Sequence, residues 1–141
     1  MTANSGFQPT EEDRASVTAW FDEYDAHAGN SDVERMADMA LFPLNVVSDT
    51  EAGNGSAAQW TRGQFVATMS HVVGGAGETR MESERTPVFL TAQLVLVITN
   101  ATFTTGEHVQ PVRYADLLVK QDGRWLFQTM VQGGWGDQLA G

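Results

Sequence analysis

The sequence contains no cysteine, which excludes disulfide bonds, thiolate nucleophiles and thiolate metal sites. It has only three histidines, His27, His71 and His108, and they do not form a His-Glu-x-x-His motif. We therefore expect no metal site and no cofactor. The Gly-x-Ser-x-Gly signature of serine hydrolases is absent, and the glycines at 74–77 follow a helical pattern and lack the lysine of a phosphate loop.

Positive charge is also scarce. Eight basic residues face eighteen acidic ones, giving a formal net charge of −10, and no lysine or arginine cluster occurs. We therefore expect no nucleic acid partner, because binding to phosphates needs a basic surface. The longest purely apolar run, Leu94 to Ile98, is far too short to span a bilayer, so we expect no membrane partner. No basic segment followed by an apolar one marks residues 1–9 for export, and we expect a cytoplasmic protein.

The composition is that of one packed domain. The chain has 141 residues, of which 42% are apolar and 18% charged. We predict a flexible N-terminus over residues 1–9, a domain over 10–136 and a C-terminal tail over 137–141.

Three helices are predicted in the first half of the chain. Thr10, followed by three acidic residues, is typical of a helix start, and the helical spacing of apolar residues continues to about residue 28. Ser31 with Glu34 predicts a capping box for a shorter second helix, which we expect Pro43 to end. Apolar spacing over about 63–73 predicts a third helix, closed by Gly74, Gly75 and Gly77.

Extended segments dominate the remainder. A short strand over 44–49 turns back through the Gly53–Ser56 stretch into a second over 57–61. Four more follow at about 81–91, 92–105, 108–120 and 124–132, with Pro87 at an edge or bulge and Asp122-Gly123 as the last hairpin turn. We predict an α+β fold: a cone-shaped half-barrel in which a curved, mostly antiparallel sheet wraps around two or three N-terminal helices.

This order of elements resembles that of the nuclear transport factor 2-like superfamily, which includes SnoaL-like cyclases and ketosteroid isomerases. The resemblance covers about residues 10 to 136 and is most recognisable from Tyr114 to Trp125, a strand, an Asp-Gly turn and a tryptophan. It implies a cystatin-like α+β cone enclosing one apolar pocket. It does not imply one activity, because the fold carries isomerases, cyclases, dehydratases and non-catalytic modules.

The resemblance to ketosteroid isomerase also implies catalytic residues. Tyr24 matches the oxyanion-hole tyrosine, and Asp49 matches the aspartate that shuttles the proton. When we count back from the Asp122-Gly123 turn, the second oxyanion donor falls on Ala115, with Asp116 on the opposite face of the strand unless a bulge turns it inward. Asp49 is therefore the candidate base, and Asp116 is a candidate for the second oxyanion donor.

Each candidate also has a structural interpretation. Asp49 lies near a turn, where carboxylates are commonly solvated, and Tyr24 falls on the apolar stripe of the first helix. His71 could act as a general base or orient a substrate, but it is also compatible with a purely structural role.

Several other side chains are candidates to bind the ligand. Aromatic and methionine side chains can line an apolar pocket, and we expect Gln128, Met130 and Gln132 to share one face of the last strand. The predicted substrate-binding residues are Trp20, Trp60, Met69, Ala115, Gln128, Met130 and Gln132.

The sequence favours an isomerase or cyclase-like protein that performs acid–base chemistry on a small apolar, carbonyl-containing ligand. The alternative is a non-catalytic ligand-binding or dimerisation module with the same fold. We also expect a homodimer, with Leu118, Phe127 and Val131 on the outer face of the sheet against the second subunit.

Overall fold

The computed structural model of the protein describes residues 6–74 and 80–136. The helices are α1 (Glu11–Gly29), α2 (Val33–Ala37) and α3 (Arg62–Gly74). The strands are β1 (Ala40–Asp49), β2 (Gly55–Trp60), β3 (Arg80–Thr91), β4 (Leu94–Thr105), β5 (His108–Gln121) and β6 (Arg124–Gln132). The predicted tail at 137–141, the glycines at 75 and 77 and the first five residues of the predicted N-terminus lie outside the described residues.

The six strands form one curved, unclosed sheet in the order β2-β1-β6-β5-β4-β3. All neighbouring pairs are antiparallel except β1 and β6, which are parallel. The helices contribute to a single buried core on the inner face of this sheet. The predicted α+β half-barrel is therefore confirmed, and β3, which contains Pro87, is an edge strand as predicted.

Helix α1 begins where the sequence predicts. The Thr10 hydroxyl accepts a hydrogen bond from the Asp13 amide at 3.0 Å, and the Asp13 carboxylate accepts one from the Thr10 amide at 2.8 Å. This reciprocal capping satisfies two amides that a helix start leaves unpaired. Val17, Trp20 and Phe21 then face the core, so burial of one stripe holds the helix against the sheet.

Two local predictions around α2 are wrong. The N-cap is Asp32, whose carboxylate accepts from the Arg35 amide at 3.3 Å, whereas Ser31 adopts a left-handed φ of 55° in the preceding turn. Helix α2 ends at Ala37, and Pro43 lies inside β1. The chain therefore enters the sheet earlier than the proline suggested.

The core contains side chains from both the N-terminal and the C-terminal half of the chain. Leu44, Phe65, Val95, Leu118 and Phe127 are at most 1% exposed. Burying each such side chain contributes about 1.5–3 kcal/mol. Leu118 and Phe127 therefore pack inside this chain, and the prediction that they face a second subunit is wrong.

A bulge in β6 explains the error at Phe127. Leu117 pairs with Thr129 while Leu118 pairs with Phe127, so Gln128 is an extra residue on β6. A bulge of this kind changes which side chains point inward. Phe127 is buried in the core, whereas Met130 and Gln132 face the same interior from the other side of the bulge. The prediction that Gln128 shares a face with these two residues is wrong.

Candidate active site

A cavity of about 420 Å³ lies between the helices and the inner face of the sheet. Most of its wall is apolar, including Phe21, Met36, Val46, Met69, Phe103 and Met130. Its ionisable side chains are Tyr24, Asp25, Arg85, Tyr114 and Asp116. A mostly apolar hollow with a few convergent polar groups is the usual form of a small-molecule site.

Asp116 points into this cavity from β5. Its cross-strand neighbours are Val97 on β4 and Met130 on β6, and neither can solvate a carboxylate. Burial raises the pKa of Asp116 to about 7, with Arg85 lowering it and Asp25 raising it. At neutral pH this carboxyl group can therefore both accept and donate a proton.

Tyr24 enters the cavity from α1. Its ring stacks on Trp20 at 5.3 Å between centroids and meets Phe127 edge-on at 5.3 Å. Burial raises the pKa of Tyr24 well above its ordinary value, and Asp116 adds to the shift. Tyr24 therefore keeps its proton and serves as a hydrogen-bond donor at physiological pH.

An ion pair forms a second polar centre. Arg85 Nη1 and Nη2 lie 2.8 Å and 3.2 Å from the two carboxylate oxygens of Asp25 on α1. Arg85 Nη2 is also 3.2 Å from the hydroxyl oxygen of Tyr114, and the guanidinium carbon lies 4.2 Å from the centroid of the Phe21 ring. Burial opposes the charge of Arg85, but the contacts with Asp25 outweigh it and raise its pKa, so the guanidinium group stays charged.

The structure brings six of the sequence-predicted site residues together in the cavity wall: Tyr24, Asp116, Met69, Ala115, Met130 and Gln132. Asp116 reaches the cavity without a bulge in its own strand. It shares a face with buried Leu118 because the two are two residues apart on β5. The expected outward orientation of Asp116 is therefore wrong, for the same reason that Leu118 was misplaced.

Five other predicted residues do not line the cavity. His71 is exposed on α3. Trp20 and Trp60 are buried in the core, where the Trp20 indole donates to the Trp125 carbonyl at 3.1 Å. Gln128 lies at the bulge and its side-chain oxygen accepts from the Thr129 hydroxyl at 2.7 Å.

Asp49 is the fifth, and it has a different set of contacts. It is exposed at the end of β1, and its carboxylate accepts a hydrogen bond from the Gly134 amide at 2.7 Å. The adjacent Ser48 hydroxyl accepts from the Trp135 amide at 2.8 Å. A Cβ on Gly136 would overlap the carbonyl group of Asp49. These contacts hold the segment after β6 against β1, and this segment carries Trp135 into the cavity wall.

Sequence reasoning missed the Asp25–Arg85–Tyr114 cluster. Two signals could have found it. Arg85 is four residues from both Met81 and Phe89 on β3, so strand alternation places a charge on the inward face. Tyr114 is two residues from Asp116, so the two share a face whichever way it points.

A second depression, of about 530 Å³, lies on β3, β4 and β5 among residues such as Glu82, Asn100 and Arg113. It is shallow and its polar lining is solvent-exposed, so it does not provide the water-excluding surroundings of the main cavity. Within the described ranges, no three side chains of metal-binding type come together. No helix there combines the length and apolar character that crossing a membrane would need.

Comparison with solved structures identifies the fold. The chain superposes on an NTF-2 like protein of unknown function from Shewanella oneidensis MR-1 with a TM-score of 0.68 and 12% identity, covering 86% of this chain and 98% of that one. A cystatin-like domain of unknown function from Nostoc punctiforme gives a TM-score of 0.68 at 14% identity, covering 89% of this chain and 78% of that one. A candidate scytalone dehydratase from Novosphingobium aromaticivorans gives 0.63 at 17% identity, covering 84% and 80%.

The chain therefore has the cystatin-like fold of NTF2-like proteins, as the sequence resemblance implies. At these identities the likeness concerns the fold alone. No protein-family model matches the sequence, and no curated protein matches it. Any function must therefore be argued from the cavity.

Proposed function

We propose that the protein is a small-molecule enzyme of isomerase, cyclase or dehydratase type, in which Asp116 transfers the proton. The observation that carries this proposal is the buried Asp116 carboxyl group, with a pKa of about 7, in an apolar cavity. Perturbed carboxyl groups inside clefts are characteristic of catalytic acids and bases. The dehydratase name of one structural neighbour is compatible with this chemistry.

The reaction would begin with the ionised form of Asp116. Its carboxylate takes a proton from a carbon next to a carbonyl group, the C–H electron pair becomes a C=C bond, and the carbonyl electrons move to the oxygen. Tyr24, which stays protonated, donates a hydrogen bond to that developing oxyanion. The oxyanion electrons then re-form the carbonyl group. In an isomerisation the displaced C=C electrons take the proton of Asp116 onto another carbon of the conjugated system; in a dehydration they break the C–O bond of a neighbouring hydroxyl group, which takes the proton of Asp116 and leaves as water.

The roles differ from those implied by the ketosteroid isomerase resemblance. The proton-transferring carboxyl group is Asp116, because Asp49 does not line the cavity. Val97 and Met130 present apolar side chains beside Asp116, and apolar surroundings strengthen electrostatic contacts in the site.

The test uses 5-nitrobenzisoxazole, a neutral compound that a buried carboxylate converts into a coloured cyanophenolate by removing one ring proton. We expect the wild type to accelerate this ring opening with a rate that rises through an apparent pKa near 7. Asp116→Asn should lower the rate by about 10²-fold or more. Asp22→Asn makes the same charge change on the exposed side of α1 and should leave the rate unchanged.

Titration of the Asp116 carboxyl carbon by NMR gives an independent answer. A pKa near 4 for Asp116, or equal rates for the wild type and Asp116→Asn, would rule out the proposal. Retained ligand binding without any rate difference would favour the non-catalytic binding module instead.

A further inference from the structure

The register of the sheet arranges the cavity side chains in layers. Val97, Asp116 and Met130 are paired across β4, β5 and β6 and form one layer. Two residues further along each strand, a second layer runs through the paired residues Arg85, Thr99, Tyr114 and Gln132. The two layers are about 7 Å apart, because each strand residue advances about 3.4 Å. A polar layer therefore lies next to the layer that contains the reactive Asp116 carboxyl group.

The charge of that polar layer is cancelled. Arg85 carries its only positive charge, and both carboxylate oxygens of Asp25 engage it. Apart from Asp116, no other described Asp, Glu, Lys or Arg lines the cavity. The net charge of the site is therefore zero when Asp116 is protonated and −1 when it is ionised.

This balance disfavours anionic ligands. A carboxylate or phosphate that enters the cavity loses its water and finds no uncompensated positive charge to replace it. The net charge of −10 on the whole chain adds to the repulsion. A hydroxyl or carbonyl group loses less solvation and can bond to the Tyr114 hydroxyl and the Gln132 amide.

We propose that Asp25 is a specificity-determining residue: by engaging Arg85 it makes the cavity select uncharged compounds that carry a hydroxyl or carbonyl group on an apolar skeleton, and reject carboxylates. This deepens the proposed function by naming its substrate class, and it rests on that function only for the cavity being the substrate site. Met81, Phe103 and Val72 also line the cavity and offer apolar surface to the rest of such a ligand.

The experiment compares two probes with the same ring system, 2-naphthol and 2-naphthoate, by isothermal titration calorimetry at pH 7.5. The first is neutral there and the second is an anion. The wild type should bind 2-naphthol at least about tenfold more tightly, since an unpaired buried charge is strongly disfavoured. Asp25→Asn keeps the side-chain shape and frees the guanidinium group, so it should raise naphthoate affinity by about tenfold and change naphthol affinity by less than about threefold.

Asp22→Asn is the matched control, because it removes the same charge from an exposed position of the same helix and should change neither affinity. If Asp25→Asn does not fold, Arg85→Gln tests the pair from the other side. It leaves Asp25 uncompensated and should strengthen binding of the cation 2-naphthylmethylammonium by about tenfold. Naphthoate binding to the wild type as tightly as naphthol, no gain in the variant that folds, or no binding of either probe overturns the proposal.

The binding comparison is separable from catalysis. Asp116→Asn should retain the preference for 2-naphthol, because its charge is not the one that Asp25 cancels. If that preference holds while Asp116→Asn keeps the full ring-opening rate, the proposed function fails and the specificity inference stands. If Asp116→Asn loses the ring-opening rate but the preference for 2-naphthol is absent, catalysis by Asp116 stands and the proposed role of Asp25 fails.

Discussion

At the scale of single residues, the most consequential feature is a carboxyl group in largely apolar surroundings. Asp116 has a pKa of about 7 in the folded protein against an ordinary value of 3.8. Between these two values the folded chain keeps a proton that the unfolded chain releases. The free energy of unfolding should therefore decrease as pH rises from about 4 to about 7, by at most about 1.4 kcal/mol per pH unit, and level off above.

Asp116→Asn removes this dependence. Urea denaturation of both proteins at pH 5 and pH 8 should show the wild type losing about 1–3 kcal/mol relative to Asp116→Asn across that interval. Parallel pH profiles for the two proteins would mean that Asp116 titrates normally in the fold.

The sequence predicted which residues matter more reliably than how they point. Tyr24 and Asp116 were both candidates, and both line the cavity. The orientation of Asp116 depended on whether Leu118 faces the core, and a strand with apolar residues on both faces does not decide this by pattern alone. Arg85 was missed because a charge on an edge strand ordinarily faces solvent.

At the scale of elements, the sequence predicted the number, type and order of helices and strands, because periodicity and turn residues are local signals. It failed where a single residue changes the register. The N-cap of α2 at Asp32 and the extra Gln128 in β6 depend on backbone conformations that the packed chain selects. These one-residue changes determine which side chains line the cavity, although they hardly change the order and bounds of the helices and strands.

The segment after β6 offers a test at this scale. Asp49 and Ser48 at the end of β1 bind the amides of Gly134 and Trp135. Asp49→Ala should cost about 1 kcal/mol of unfolding free energy and loosen Trp135, because a charge-assisted hydrogen bond is lost. Asp49→Asn retains an acceptor oxygen and should keep most of the stability.

The measurement combines urea denaturation with tryptophan fluorescence, and Trp135→Phe identifies the signal of that residue. The Asp49 variants also distinguish a structural role of Asp49 from a role in proton transfer. If Asp49 only holds the segment after β6, Asp49→Asn should keep the rate of 5-nitrobenzisoxazole ring opening to within about threefold. A loss as large as that of Asp116→Asn would instead restore Asp49 as the catalytic base.

At the scale of the whole molecule, one part of the outer face of the sheet is apolar. Leu96 on β4 pairs with Leu117 on β5, and Val88 and Leu90 on β3 are 42% and 51% exposed. No described helix covers this face, since the core and all three helices lie on the inner one. We propose that a second copy covers this apolar part, because exposed apolar patches commonly mark interfaces and homo-oligomers commonly pair through a two-fold axis.

Leu96→Glu should convert the dimer into a monomer, since it places two like charges at the centre of the contact. Thr104→Glu introduces the same charge further along the same face of β4 and should leave the dimer intact. Sedimentation equilibrium measures the mass directly, and a monomeric wild type at micromolar concentration would contradict the expectation.

The extra residue in β6 divides that strand into two zones of opposite parity. Before Gln128, the odd-numbered side chains Trp125 and Phe127 pack in the core. After it, the even-numbered side chains Met130 and Gln132 line the cavity. Substitutions after Gln128 can therefore change which ligands the cavity binds, while the packing of the core before Gln128 stays the same. A one-residue insertion thus uncouples the part of the molecule that must be stable from the part that can diversify.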